Sequence, residues 1–271
     1  MMPVRAGALP FVLVVGAGAL GAPRAEAAAA VNMDEVVVQS QVEPVTGQTK
    51  LPGDAGVEEV QRALSAKGHQ TGADGWYGDE TVEAYSQWQE DLGFTGIGAN
   101  GIPGPSSLVK LGDGRFDVQR VIDVGDRTTY SGKPVNQRTA DMLAEADGAL
   151  SWRITVTQGS YQGCSDASAC THAGGGAIDI SVKDLSTEQR WKTVEALREV
   201  GFAAWLRTPE QADWPYHVHA VAVGDTDTHR EAADQVADYH AGKNGLASHA
   251  PDNTPEGYRA SFTWWEAYER G

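Results

Sequence analysis

The chain has 271 residues and carries 37 acidic against 21 basic side chains, a formal net charge of -16 at pH 7. A phosphate backbone is bound through clustered Lys and Arg, which this sequence lacks, so nucleic acid is excluded as a partner. The length suits one large domain or two smaller ones, and the change of texture along the chain favours two.

Met1-Met2-Pro3-Val4-Arg5 is a charged start, followed by an apolar run from Ala6 to Ala22 with Leu9 to Val15 at its centre. Ala25-Glu26-Ala27 then supplies small residues at the two positions a signal peptidase reads, so residues 1–27 are read as a removable secretory signal. The run is short and holds Pro10, whereas a spanning helix needs about 20 apolar residues. No later stretch is apolar enough to cross a membrane. The mature protein is expected as a monomer, secreted into the extracellular space or associated with the cell wall. Residues 28–54 are polar and contain Gln39, Ser40, Pro44, Gly47, Pro52 and Gly53, which reads as a linker.

Val57, Val60 and Leu64 then recur at helical spacing, and Lys67-Gly68 supplies a stop. The turn-rich stretch from Gly72 to Gly78 leads to Asp79 as an N-cap and to a second helix with Val82, Tyr85, Trp88 and Leu92 on one face. Pro103-Gly104-Pro105-Ser106 opens a third helix containing Leu108 and Leu111. The series Val60-Gln61-x-x-Leu64, Asp74-Gly75-x-Tyr77-Gly78-x-x-Thr81, Trp88-Gln89 and Asn100-Gly101-Ile102-Pro103-Gly104-Pro105 resembles the peptidoglycan-binding module of wall hydrolases. It covers residues 55–112 and implies peptidoglycan as the partner. Tyr85 and Trp88 sit on helix faces and belong to a core. Trp76 and Tyr77 sit in a loop, where they are either core or a surface that stacks on sugars or stem peptide.

From Phe116 the elements lengthen into a second domain over residues 113–250. Asn136 caps a helix with Thr139, Leu143, Ala146 and Leu150 on one face, and Trp152 to Thr157 alternates as a strand. Ser186 with Gln189 forms a capping box for a helix closing at Gly201, and Phe202 to Leu206 and His217 to Val223 complete a strand set. Without a strict βαβ rhythm the class is α+β, with a mostly antiparallel sheet. The tail, residues 251–271, reads as a short helix docked by Trp264 and Trp265. Cys164 and Cys170, close together in an exported chain, read as one disulfide that shapes a local loop.

Chemistry concentrates at Thr171-His172-Ala173-Gly174-Gly175-Gly176-Ala177-Ile178-Asp179 and at Tyr216-His217-Val218-His219. The glycines rule out a helix and let a loop fold His172 back against a strand. There Asp179 faces one side while Ile178 and Ile180 face the core. His217 and His219, two apart on a strand, share a side. Two imidazoles and a carboxylate leave an open coordination position, as a catalytic zinc site requires.

The pattern H-x-x-G-x-A-x-D followed by H-x-H resembles the zinc D-alanyl-D-alanine carboxypeptidases and related peptidoglycan endopeptidases, whose sheet is shared with the hedgehog signalling domain. The resemblance implies Zn²⁺ held by His172, Asp179 and His219, with His217 lining the site. The family's carboxylate base lies three residues before the last His, where this chain has Tyr216. Proton transfer then falls to His217, or to Asp213 if the loop through Trp214-Pro215 folds back. The family's Arg clamp for a terminal carboxylate corresponds here to Tyr161 or Gln162, which would sit at the substrate end. Without that clamp, cleavage within a peptide is favoured over release of a terminal residue. The expected activity is zinc-dependent hydrolysis of peptidoglycan peptides. The rival is a wall-binding protein without catalysis, whose metal site is structural or vestigial; a polysaccharide hydrolase would need a carboxylate pair that the sequence does not offer.

Overall fold

The computed structural model describes residues 29–42, 53–164 and 169–271. The proposed export signal lies outside them. The stretch expected to be a linker is in part an ordered element: β1 (Ala29–Asn32) pairs in parallel with β2 (Phe116–Gln119), and α1 (Met33–Val42) follows. This corrects the linker reading for residues 29–42, and the cause is local. Met33, Val36, Val37, Val38, Ser40 and Gln41 are all buried, so α1 is enclosed on several sides and lacks the single apolar stripe that marks a surface helix. Gln41 donates to the Asp225 carbonyl and accepts from the Gly224 N–H, tying α1 to the C-terminal region.

The helical module consists of α2 (Ala55–Lys67), α3 (Asp79–Asp91), a short 3₁₀ turn and α4 (Pro105–Gly112). Asp54 caps α2 by accepting from the Val57 N–H at 3.0 Å, and Gly68 ends it in the left-handed conformation. Gly78, not Asp79, is the N-cap of α3; Asp79 is its first residue, where its charge still favours the helix dipole. Val57, Val60, Leu64, Tyr85, Leu108 and Leu111 form the module's core. Tyr77 belongs to it too, fully buried with its hydroxyl donating to the Gly101 carbonyl at 2.9 Å. It therefore offers no face to a sugar, and its role as a substrate contact is withdrawn. Trp76 is half-buried at the loop.

The C-terminal region begins with a hairpin of β3 (Arg127–Tyr130) and β4 (Lys133–Asn136), then α5 (Gln137–Gly148), whose Asn136 cap accepts from the Thr139 N–H at 2.8 Å. Next come β5 (Val156–Gln158), β6 (Ala177–Ser181), α6 (Thr187–Glu199), β7 (Phe202–Arg207), β8 (His217–Ala222), α7 (Arg230–His240) and α8 (Trp265–Arg270). The strand expected from Trp152 starts only at Val156 because Asp147 at the end of α5 captures Arg153 and the Ile154 N–H. Both capping-box bonds between Ser186 and Gln189 are present at α6.

β5, β6, β8 and β7 form, in that order, an antiparallel sheet. Its two faces have opposite characters. Ile178, Ile180, Val218, Ala220, Ala204 and Leu206 point into the main core with α5 and α6. On the other face Asp179 lies opposite His219, which lies opposite Trp205, and one row further Ser181, His217 and Arg207 are aligned. At one end this second face is sealed by α7, where Ala177, Ala203 and Val221 meet Ala232 and Val236; at the other it is open. The tail docks through Trp264 and Trp265, which pack against the two sheet-side cores.

Candidate metal centre

The open half of the polar face is the floor of a cavity of about 490 Å³, lined among others by His172, Asp179, His217 and His219. His172 reaches it from a 3₁₀ turn (Thr171–Ala173) that follows the Cys164–Cys170 disulfide. Behind that turn the triple glycine lies flat against the loop 225–229. A Cβ on Gly174 would come within 2.4 Å of the Asp227 carbonyl oxygen, and one on Gly175 within 2.8 Å of the Asp225 carboxylate, so only glycine allows the approach. The register between β5 and β6 shifts at Val156 and Gln158, a bulge that places Gln158 beside Asp179.

The three candidate ligands converge. A ligand atom of each of His172, Asp179 and His219 lies within 4.8 Å of the others. Asp179 Oδ1 is 2.8 Å from His219 Nδ1, and Oδ2 is 3.5 Å from His172 Nε2. The hydrogen-bond network assigns the imidazole protons. Gln235 on α7 donates its amide to the Gly245 carbonyl at 2.9 Å, so its oxygen faces His219 Nε2 at 2.8 Å and must receive that N–H. His172 Nδ1 lies 3.0 Å from the Gly159 carbonyl, which likewise receives an N–H. Both remote nitrogens are therefore protonated, and the nitrogens aimed at Asp179 carry lone pairs.

A carboxylate and two imidazole lone pairs around one point repel unless a cation or an extra proton joins them. Burial pushes His219 down, against the pull of Asp179, which disfavours the extra proton. At Asp179 burial opposes ionisation, yet hydrogen bonds and charge from His172 and His219, which act when a proton sits between them and the carboxylate, outweigh it and hold the carboxyl well below the usual carboxylate range. Two nitrogens, one oxygen and an open side are a donor set that fits a tetrahedral divalent ion, with Gln235 and the Gly159 carbonyl orienting the imidazoles from behind.

The other expected residues divide. His217 lines the cavity, with Nδ1 2.8 Å from the Pro215 carbonyl and Trp214 packed edge-on at 5.5 Å between ring centres. Asp213 is exposed and is not among the residues lining the cavity. Tyr216 turns to the opposite face of the sheet, under the guanidinium of Arg190 at 3.7 Å. Tyr161 does not line the cavity either: its hydroxyl donates to Asp227 at 2.9 Å, and Arg127 stacks over its ring at 3.9 Å. Gln162 bonds the Gly159 carbonyl and, through its backbone N–H, the His172 carbonyl. Tyr161 and Gln162 thus brace the loop that carries His172 from behind and are corrected from substrate contacts to supports. Asp213 is likewise corrected.

Three residues of this site escaped the sequence reading. Gln235 carries no local signal, since only the packing of α7 brings it to His219. Trp205 stacks on the His219 ring, 6.3 Å between centres and 16° between planes. Arg207 lines the cavity one row along from Trp205, and a strand ended at Leu206 leaves it out of the alternation that would have placed it beside His217.

No curated protein and no solved structure matches the chain. Its N-terminal module does match a known family: residues 53–111 fit the family described as a putative peptidoglycan binding domain.

Proposed function

We propose that this protein acts outside the cytoplasm as a zinc peptidase, bound to peptidoglycan by its module and hydrolysing the peptides of that polymer. The observation that carries the reading is the convergence of His172, Asp179 and His219, with their lone pairs turned inward, on the floor of an open cavity. Zinc, when bound, polarises a scissile carbonyl and lowers the pKa of the attacking water. His172, Asp179 and His219 would hold the ion. His217 would move the proton: its Nδ1–H donates to the Pro215 carbonyl, which leaves Nε2 as the basic nitrogen of a side chain that lines the cavity. Peptidoglycan as the substrate is supported by the family match of the module, and the setting by that match together with the disulfide.

The test is digestion of isolated, insoluble peptidoglycan by the zinc-loaded protein, with release of new amino groups as the readout. Release that stops on chelation and returns with zinc is the expected result. Zinc binding and wall binding without any release would establish the non-catalytic rival.

A further inference from the structure

Three arginines, Arg138, Arg198 and Arg207, are buried among the described residues. Two of them have carboxylate partners: Arg138 meets Glu266 at 2.7 Å, and Arg198 meets Asp252 at 2.8 Å. A buried guanidinium without such a partner leaves its charge uncompensated in a poor dielectric, which is costly. Arg207 has no such partner in contact, and Asp179 and Asp252 offset its charge only from a distance. It is 2 % exposed, yet no carboxylate among the described residues lies within ion-pair distance of it.

What holds Arg207 is neutral. One terminal nitrogen donates to the Asn244 carbonyl at 2.6 Å and the other to the Gly245 carbonyl at 3.3 Å, while the guanidinium carbon lies 5.1 Å from the Trp205 ring centre. A guanidinium has five N–H donors in a planar fork suited to a carboxylate. Two are used on the loop carbonyls, and the side chain borders the cavity.

The position of this charge is informative. Arg207 lies opposite His217 across the β7–β8 pair, on the face that carries Asp179 and His219. Trp205, two residues earlier, is in the row of the metal ligands, so Arg207 stands roughly 7 Å further along the strand. That is about the span of two residues of extended peptide, short enough for a carboxylate near the bond to reach it. A chain of net charge -16 repels anionic peptides at long range, which makes a local cation in the cavity the more telling.

We propose that Arg207 is a specificity-determining residue that binds a free carboxylate of the peptide substrate, close to the bond positioned at the His172-Asp179-His219 centre. The inference rests on the peptidase reading above for the word substrate, but its chemistry is that of anion recognition and is open to measurement without turnover. It replaces the sequence-based expectation that the site lacks a carboxylate clamp: the clamp comes from β7, not from the loop at Tyr161 and Gln162. The carboxylate has two possible sources, the C-terminus of the peptide and an acidic group within it.

The experiment is calorimetric binding of four synthetic stem pentapeptides to chelator-treated full-length protein, so that nothing is hydrolysed. The four combine a C-terminal acid or amide with an internal D-glutamate or its amide. One of the two amidations should weaken binding by about tenfold or more, the loss of a charge-assisted bidentate contact, and the sensitive position identifies the source. Arg207→Gln should bind the charged and amidated forms alike, and Arg207→Lys should keep part of the discrimination. Equal wild-type affinity for all four peptides overturns the proposal, and that comparison needs no variant to fold. The same discrimination persisting in a folded Arg207→Gln protein, checked by circular dichroism and zinc stoichiometry, also overturns it. Wall hydrolysis with no carboxylate dependence would refute Arg207 and leave the peptidase standing, whereas Arg207-dependent binding without hydrolysis would do the reverse.

Discussion

The helical module and the sheet face use their polar side chains in opposite ways. In the module, residues that make up the recognisable motif are turned inward and satisfied. Gln61 donates to the Trp76 carbonyl and the Thr81 hydroxyl and accepts from the Gly75 N–H; Gln89 donates to the Ile102 carbonyl and accepts from the Gly101 N–H. Gly101 itself sits at φ +76° with the Val82 carbonyl against it, so no side chain fits. At the sheet's polar face, His172 and His219 have their outer hydrogen bonds filled, while their inner nitrogens and the Asp179 carboxylate are left facing one another. A spacing pattern alone does not separate a loop-holding residue from a reactive one. The count of satisfied donors and acceptors does.

The sharpest way to break this contrast is His219→Ala. Removing an inner lone pair should take zinc content from about one per chain to near none and abolish wall hydrolysis, as elemental analysis beside the release assay would show. A variant that retains full zinc occupancy would mean that the cluster does not hold the ion. His217→Ala should separate the two roles on one strand: zinc is kept, while turnover falls by about 10² to 10⁴, the usual contribution of a positioned proton carrier. Unchanged turnover there would remove His217 from the proposed mechanism.

A smaller effect is expected from the loop that supports the glycines. Burial pushes Asp225 up to about 6, against the pull of Arg138 and with the help of Asp227. The folded state thus holds this proton more tightly than the unfolded chain. Its contribution to stability is present below about pH 4 and is lost as pH rises through about 6, a change of about 3 kcal/mol. Carboxyl titration by NMR should give Asp225 a midpoint near 6, and a midpoint near 4 would show that the loop is more open than described. The smallest effect sharpens the module side. Gln89→Leu strands the Gly101 N–H and the Ile102 carbonyl and should cost about 2 kcal/mol in a thermal or denaturant melt, with zinc stoichiometry unaltered.

What was legible in the sequence was what local chemistry dictates. Asn136 and Ser186 act as caps from their own side chains, and the one-sided periods of α2, α3 and α5 reflect burial on one side. The convergence of Asp179 and His219 was legible for the same reason, since alternation on β6 and β8 decides which way they point. What was hidden depends on distant partners. Gln235 and Arg207 acquire meaning only when α7 and β7 are laid beside β8, and α1 is packed on too many sides to show a period. Tyr161 was misplaced because its backbone φ of +58° swings the ring toward Asp227 and away from the opening.

The hydrophobic cluster of the module does not end at its motif boundaries: Val31, Met33 and Val36 enter it from the N-terminal segment, Phe116 and Ile122 from beyond α4, and Ala233 from α7. Asn100, inside the module's signature, donates to the carbonyls of Thr226 and Thr228 on the same loop that the glycines rest against. A tethered binding module sweeps a volume set by its linker, and its partner domain then samples many positions on the polymer. Here the grip and the cavity are parts of one packed piece. The protein is built like a fixed-gap caliper: if the module seats on a glycan strand, the peptide that reaches Asp179 and His219 is chosen by its distance from that seat, and the spacing of peptides along the wall becomes a determinant of which ones are met.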